Sequence, residues 1–321
     1  MVNFELSIEL SFYDRRRGRG MNGQGATVNL HVGGQTTGAE DVVVYLAANR
    51  AGLRRAGFGL FCFDPAGSGA DSLGADMPEP NADETAVAAA TARLSARFGT
   101  DRRAGTEGFV VSAGDLAGSS AEILLGRFHP NARLRARTMR QALGQPVDRL
   151  VLAVQPYEVL FHSVWMALAL DRRIDAFAEY AQALTQFQGG WADLGETLAE
   201  ELEVRELVIV ATPTGAPQML AHVLPGVNLR QPIQPHAKPR ITPSAVGMVQ
   251  RCMAQGVRLQ PGQRDRLIAF HARQPQLRPE AAFSALALSD LRGRYVADLD
   301  TLARLSEVTL IDGALPAMAA E

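Results

Sequence analysis

The sequence contains little lysine, little cysteine and no long apolar run. Lys238 is the only lysine among 32 strongly basic residues, and all the others are arginine. The two cysteines, Cys62 and Cys252, are far apart and lack CxxC or metal-ligand spacing, which argues against a disulfide framework or a zinc site. No window of about 20 apolar residues occurs, so we expect no membrane-spanning helix.

The charge and the first residues narrow the class of protein further. The 321 residues carry a formal net charge of −2, which gives no general attraction for nucleic acid or an anionic membrane. Residues 1–20 lack the order of a signal peptide and contain the run RRRGRG before Met21. We therefore expect a cytoplasmic protein, with Met21 rather than Met1 as the natural start and residues 1–20 as a solvated, disordered tail or extended start.

The apolar pattern is typical of an α/β protein. Apolar residues make up 47% of the chain, which is ample for a core. Strands separated by helical segments predict a parallel sheet covered on both faces, here within a core of residues 21–225. The predicted strands are 28–32, 58–63, 108–113, 149–154 and 206–211.

The pattern changes after Pro225. A polar, proline-rich stretch is followed by helical segments near 244–256, 261–272 and 288–305 and by a predicted short strand, 308–311. We expect residues 226–321 to form a helical C-terminal region that packs on the core.

The first strand leads into a glycine-rich turn and a long helix. Gly33 and Gly34 follow the segment VNLHV, and helical spacing of apolar residues continues from about Gly38 to Ala56. In parallel α/β sheets, ligands bind where such loops expose backbone N–H groups, and a helix N-terminus adds partial positive charge there. The loop after the first strand is therefore the first candidate for a binding site.

The segment 30–58, LHVGGQTTGAEDVVVYLAANRAGLRRAGF, resembles the opening of bacterial sulfotransferase-family proteins. These have a strand, a loop of the type GxxKTGTTS, a helix and the phrase NRxxLxxxGI. The resemblance implies a P-loop-type, three-layer α/β/α fold with a central, mainly parallel sheet of about five strands. It also implies the donor 3′-phosphoadenosine-5′-phosphosulfate (PAPS) and its product adenosine 3′,5′-bisphosphate (PAP). The residues that match in place are Gly33, Thr37, Gly38, Asn49, Arg50, Leu53 and Gly57.

Two further segments extend the resemblance. In the family, an arginine at a strand end and a serine eight residues later hold the 3′-phosphate of the donor; here these positions are Gln155 and Ser163. The phrase 291–312 is similar to the C-terminal part of these proteins, and PHAKPR, 235–240, is a candidate for their basic loop over the 3′-phosphate. The implied donor-binding residues are Gly33, Gly34, Gln35, Thr36, Thr37, Gly38, Gln155, Ser163, Lys238 and Arg240.

The residues that should hold phosphate depart from the family. Thr36 stands at the loop lysine, Glu40 and Asp41 stand in the hydroxyl run, and Gln155 replaces the arginine. Carboxylates at a helix N-terminus stabilise an empty helix by about 0.3–1 kcal/mol each, but they repel a bound anion. Three interpretations remain open: an empty loop, a working site charged by Lys238, Arg240 or His31, and a site retuned for a cationic or metal-bridged ligand.

Three residues are candidates for acid–base chemistry. His31 closes the first strand, Asp115 follows the third strand, and His162 precedes Ser163 on a predicted helix. A packing role for the two histidines and helix capping for Asp115 are the alternatives. No residue set has the spacing of a metal site.

The resulting hypothesis is a sulfotransferase-family protein with a degenerate donor site and weak or absent catalysis. The first alternative is an active enzyme that transfers a sulfuryl group from PAPS to a hydroxyl or amine of a small-molecule or carbohydrate acceptor. The second is a non-enzymatic binding or scaffold protein that acts through its helical region. The oligomeric state stays open.

Overall fold

A computed structural model describes the fold through one six-stranded sheet. All strand pairs are parallel, and the order is β2-β3-β1-β4-β5-β6. The strands are β1 Thr27–Gly33, β2 Phe58–Cys62, β3 Gly108–Ser112, β4 Arg149–Ala153, β5 Leu207–Val210 and β6 Val308–Ile311. The described residues are 26–33, 39–62, 73–103, 106–114, 116–118, 121–211, 215–230, 241–274 and 283–311.

Helices surround the sheet. Those of the first half are α1 Ala39–Ala48, α2 Arg50–Arg55, α3 Glu84–Arg103, α4 Ala121–Leu124, α5 Ala132–Leu143 and α6 Tyr157–Asp171. Those of the second half are α7 Phe177–Thr185, α8 Trp191–Glu201, α9 Ala216–Val223, α10 Pro243–Ala254, α11 Pro261–Ala272 and α12 Ala285–Ala303. Within the described ranges, none of these helices is both long enough and apolar enough to cross a bilayer.

The strands form because their side chains are apolar on both faces. Alternate residues along a strand point to opposite sides, and in the central strands both sides are buried. Leu30, Val111 and Leu152 belong to one core layer, whereas Val110 and Val151 belong to the other. The parallel α/β architecture expected from the sequence is thus confirmed.

The two core layers follow from the direction of the connections. The chain leaves β1 past β3 to reach β2, and every later connection runs the opposite way along the sheet. Because crossovers keep one hand, α1 and α2 lie on one face, while α3, α5, α6, α8 and α12 lie on the other. The long connection from β5 to β6 also sends α9 to the first face, where it packs with α1 and α2.

The sheet has six strands rather than about five. The sixth is the short strand predicted at 308–311, which pairs with β5 at the edge of the sheet. The preceding helix α12 packs Leu291, Tyr295 and Leu299 into the same core layer as the central strands. In contrast, α10 and α11 bury a smaller separate cluster against α6, which includes Leu170 and Val249.

The helix expected over 38–56 is divided at Asn49. This buried side chain donates to the carbonyl of Tyr45 at 2.9 Å and to that of Arg230 at 2.8 Å. Its Oδ1 accepts from the Arg230 N–H at 2.8 Å. The amide therefore joins the end of α1 to a segment 181 residues further along the chain.

Candidate functional site

The candidate site lies where β1, β3 and β4 end, a region that we call the carboxyl edge and define by Gly33, Ser112 and Ala153. Gly33 is in register with Ala153. The connection after β1 leads away from β4, and that after β4 leads away from β1. The two connections therefore diverge between these strand ends, and such a switch point is where open parallel sheets bind ligands.

Of the candidate phosphate loop, the structure describes only the flanking strand β1 and helix α1. Gly33 ends β1 and Ala39 begins α1, so the strand and helix that flank the loop are arranged as expected. Gly34, Gln35, Thr36, Thr37 and Gly38 lie outside the described residues, as do Asp115, Lys238 and Arg240. Glu40 and Asp41 are in the first turn of α1, and Asp41 is exposed.

His31 is buried inside the sheet layer beneath α1 and α9. It is in register with Ser112, and its Nδ1 lies 3.1 Å from the Ser112 hydroxyl. Ser112 is in turn in register with Cys62 on β2. The three strand ends thus carry an imidazole, a hydroxyl and a thiol in one row, all buried.

Burial sets the charge of His31. Its side chain is 1% exposed, and desolvation lowers its pKa from 6.5 to about 4. The imidazole is therefore neutral at neutral pH and hydrogen bonds to a neutral hydroxyl. As a source of positive charge for an anionic donor, His31 is unsuited, because protonation inside this layer is unfavourable.

Gln155 follows β4 by two residues and is partly buried. Its carbonyl accepts a hydrogen bond of 2.9 Å from the indole Nε1 of Trp191. Trp191 is itself almost fully buried. The backbone at the position of the family's arginine is thus fixed, while the side chain there is a neutral amide.

Ser163 and His162 lie further along α6. Ser163 is the seventh residue of the helix, roughly 9 Å along its axis from Tyr157 at 1.5 Å per residue. His162 packs against the rings of Trp165 and Phe177, with centroids 6.1 and 5.4 Å away. Burial lowers the pKa of His162, so this ring is also mainly neutral at neutral pH.

A polar network, not predicted from the sequence, joins α12 to the same end of the sheet. The Tyr157 hydroxyl donates to Asp298 Oδ2. The Trp191 N–H donates to the Tyr157 oxygen at 2.8 Å and to Asp298 at 2.9 Å. A Cβ at Gly190 would stand 2.6 Å from Asp298 Oδ2 and 2.9 Å from the Tyr157 hydroxyl, so the network requires glycine there.

The network is charged and largely shielded from water. Burial, together with the neighbouring Asp298 carboxylate, raises the pKa of Tyr157 above its ordinary value. Arg294 donates to the carbonyls of Phe187 and Gly189, and its guanidinium lies 3.7 Å above the Phe187 ring centroid. The sequence signal was the Gly189-Gly190 pair before Trp191, but its partners on α12 are more than 100 residues away.

His129 is a second buried histidine that the sequence did not single out. It has a positive φ of 49° in the connection between α4 and α5, and its buried Nδ1 has no hydrogen-bond partner among the described residues. Desolvation lowers its pKa to about 4, opposed by a hydrogen bond to the Ala117 backbone. We find no described group that would make it a catalytic base.

A cavity of about 780 Å³ lies away from the carboxyl edge. It is lined by α2 and by residues 226–230, and Phe58, the first residue of β2, forms part of its wall. This position at the amino-terminal edge of the sheet separates it from the strand ends and from the phosphate-loop frame. Its size therefore gives no support to the candidate site.

The described residues contain no group of three or more His, Cys, Asp and Glu side chains that could hold a metal ion. The site consequently rests on a strand–loop–helix frame, a buried neutral histidine and an amide. No family model, no curated protein and no solved structure matches this chain.

Proposed function

We propose that this chain is a sulfotransferase-family protein with a degenerate phosphosulfate-binding site, and that it is weak or inactive as a sulfotransferase. The observation that carries the proposal is the topological switch point between β1 and β4. A strand and a helix flank the glycine-rich loop there, yet the side chains that the structure describes near it, His31, Ser112 and Gln155, supply no positive charge.

The frame supports a site for an anionic nucleotide. β1 is a central strand of a parallel sheet, and the loop after it leads directly into α1. Gly33 is in register with Ala153, the last residue of the neighbouring strand β4, and Gln155 lies two residues further along the chain. Backbone N–H groups at such a helix N-terminus favour phosphate and sulfate.

The side chains oppose the same ligand. A carboxylate about 4 Å from a phosphate charge costs roughly 4 kcal/mol at an effective dielectric of about 20, and Asp41 occupies the first turn of α1. A hydrogen bond to a charged group contributes about 1.5–3 kcal/mol, against about 0.5–1.5 for a neutral pair, so glutamine supplies only part of what arginine would.

Calorimetric titration with PAP tests the proposal. We expect no detectable heat for the natural chain. A variant with Thr36→Lys, Glu40→Thr, Asp41→Ser and Gln155→Arg should gain binding, because it removes two carboxylates and adds two cations. Adding Ser163→Ala to that variant should weaken the gained binding.

Two results would overturn the proposal. Micromolar binding of PAP by the natural chain, lost in Ser163→Ala, would mean that the donor site is functional. Absence of PAP binding by the folded variant with the four substitutions would mean that the loop between β1 and α1 is not a phosphate site. Circular dichroism of both proteins confirms that they are folded.

A further inference from the structure

A cavity of about 570 Å³ lies between the end of α6 and the helices α10 and α11. Its apolar wall includes Leu170 and Val249, both buried, and the half-buried Leu259. We call it the arginine cavity, because four of the residues that line it are arginines. It shares no residue with the proposed donor site.

The charge of the arginine cavity is strongly one-sided. Arg172, Arg173 and Arg258 line it, and within the described residues their guanidinium groups make no ion pair or hydrogen bond. Arg264 also lines it and pairs with Asp171 at 3.0 Å. Four arginines against one aspartate leave a net charge of +3 at the rim.

The turn that carries two of these arginines is held in place. The side-chain amide of Gln250 on α10 donates to the carbonyls of Ala169 and, at 2.8 Å, Arg172. Its Oε1 accepts from the Ile174 N–H at 3.2 Å. The backbone of residues 169–174 is therefore hydrogen-bonded to α10, and these bonds fix the backbone positions of Arg172 and Arg173 without a ligand.

We propose that the arginine cavity binds a small amphipathic anion, with an apolar body against the wall and a carboxylate, sulfate or phosphate at the rim. Guanidinium groups suit such oxyanions because they donate two parallel hydrogen bonds. The volume falls within the range of small-molecule pockets, roughly 300–1,000 Å³. An uncharged apolar ligand would leave three arginines unpaired, and a cation would be repelled.

The chain contains its own reporter for this cavity. Cys252 lines the cavity and is partly exposed, whereas Cys62, the other cysteine, is buried in the sheet layer. Alkylation by the uncharged reagent N-ethylmaleimide, followed by mass spectrometry of peptides, measures access to each thiol separately. Octanoate and octyl sulfate are the anionic probes, and octanamide is the uncharged control.

We expect both anions, below their micelle concentrations, to slow alkylation of Cys252 while octanamide does not. The double variant Arg172→Gln, Arg258→Gln should require at least about tenfold more anion for the same protection, since it removes two charge-assisted contacts. Arg266→Gln is the matched control: this arginine is exposed on α11 but does not line the cavity. Val257→Ser, at a lining side chain 48% exposed, should weaken protection by about threefold through lost apolar contact.

Three results would overturn the proposal. These are equal protection by octanamide, unchanged protection in the double variant, and no protection by either anion at millimolar concentration. Stronger protection by octyl sulfate than by octanoate would support the proposal and narrow the headgroup to a sulfate or phosphate.

Discussion

The carboxyl edge and the arginine cavity divide between them two properties that an anion site needs. The carboxyl edge has a strand end beside a helix N-terminus, but its described side chains His31, Ser112 and Gln155 supply no positive charge. The arginine cavity has guanidinium groups that make no ion pair within the described residues, but no strand end contributes to its lining. Fold geometry and side-chain charge are therefore separate contributions, and one can be present without the other.

The two regions also differ in how they are held. At the carboxyl edge, the network of Tyr157, Asp298 and the Trp191 backbone is buried and joins three helices. At the arginine cavity, hydrogen bonds from the Gln250 side chain fix a surface turn, and the side chains of Arg172 and Arg258 are exposed. Substitutions within the network should therefore mainly lower stability, whereas substitutions of the exposed arginines should mainly alter ligand binding.

The largest expected difference is the response to acid. Burial lowers the pKa of both His31 and His129 from 6.5 to about 4. Between these two values the unfolded chain binds protons that the folded chain does not, so stability falls as the pH falls from about 6.5 to about 4. The loss should approach about 3 kcal/mol for each histidine, at about 1.36 kcal/mol per pKa unit.

Urea unfolding at a series of pH values measures this response. In His31→Asn, which has no ionisable group at that position, the slope of unfolding free energy against pH in this window should become shallower, while His129 and His162 still contribute. Asn228→Ala, at an exposed side chain without an ionisable group, provides the control and should leave the slope as it is. An unchanged slope in His31→Asn would contradict the assignment of a neutral, buried His31.

The next largest effect concerns one glycine in each region. Gly190→Ala should lower the unfolding free energy by about 3 kcal/mol, because its Cβ meets Asp298 and Tyr157 in a packed site. Gly247 lies at an exposed position of α10 near the arginine cavity, and a Cβ there would meet nothing within 4 Å. Gly247→Ala should therefore raise the unfolding free energy by about 0.5–1 kcal/mol. Urea midpoints compare the two, and similar effects would mean that the network is not tightly packed.

A smaller loss is expected from the amide between α1 and residues 226–230. Asn49→Ala removes both hydrogen bonds to the Arg230 backbone and leaves buried groups unpaired, which should cost about 2 kcal/mol. The exposed neighbour Asn228 is the control, and Asn228→Ala should change stability by less than about 0.5 kcal/mol. Equal midpoints for the two variants would show that the division of the helix at Asn49 is not held by this contact.

The sequence predicts a feature well when the residues that form it are close together along the chain, and poorly when they are far apart. The six segments predicted as strands all belong to the sheet, because a short apolar run is a local property of the sequence. The break at Asn49 and the requirement for Gly190 depend on residues more than 100 positions away, which no local pattern reveals. At the candidate site, the strand ends carrying His31 and Ser112 were predicted, but their hydrogen bond depends on strand register.

The smallest expected effect completes the comparison. Arginine stays charged throughout the ordinary pH range, so protection of Cys252 by octyl sulfate should be the same at pH 6.0 and pH 7.0 when each alkylation rate is divided by the rate without ligand at the same pH. The sulfate headgroup does not titrate there either, so neither partner of the proposed contact changes its charge. A binding change of more than about threefold across this range would require a titrating residue at the cavity. The carboxyl edge would then no longer be distinguished from the arginine cavity by its sensitivity to protons.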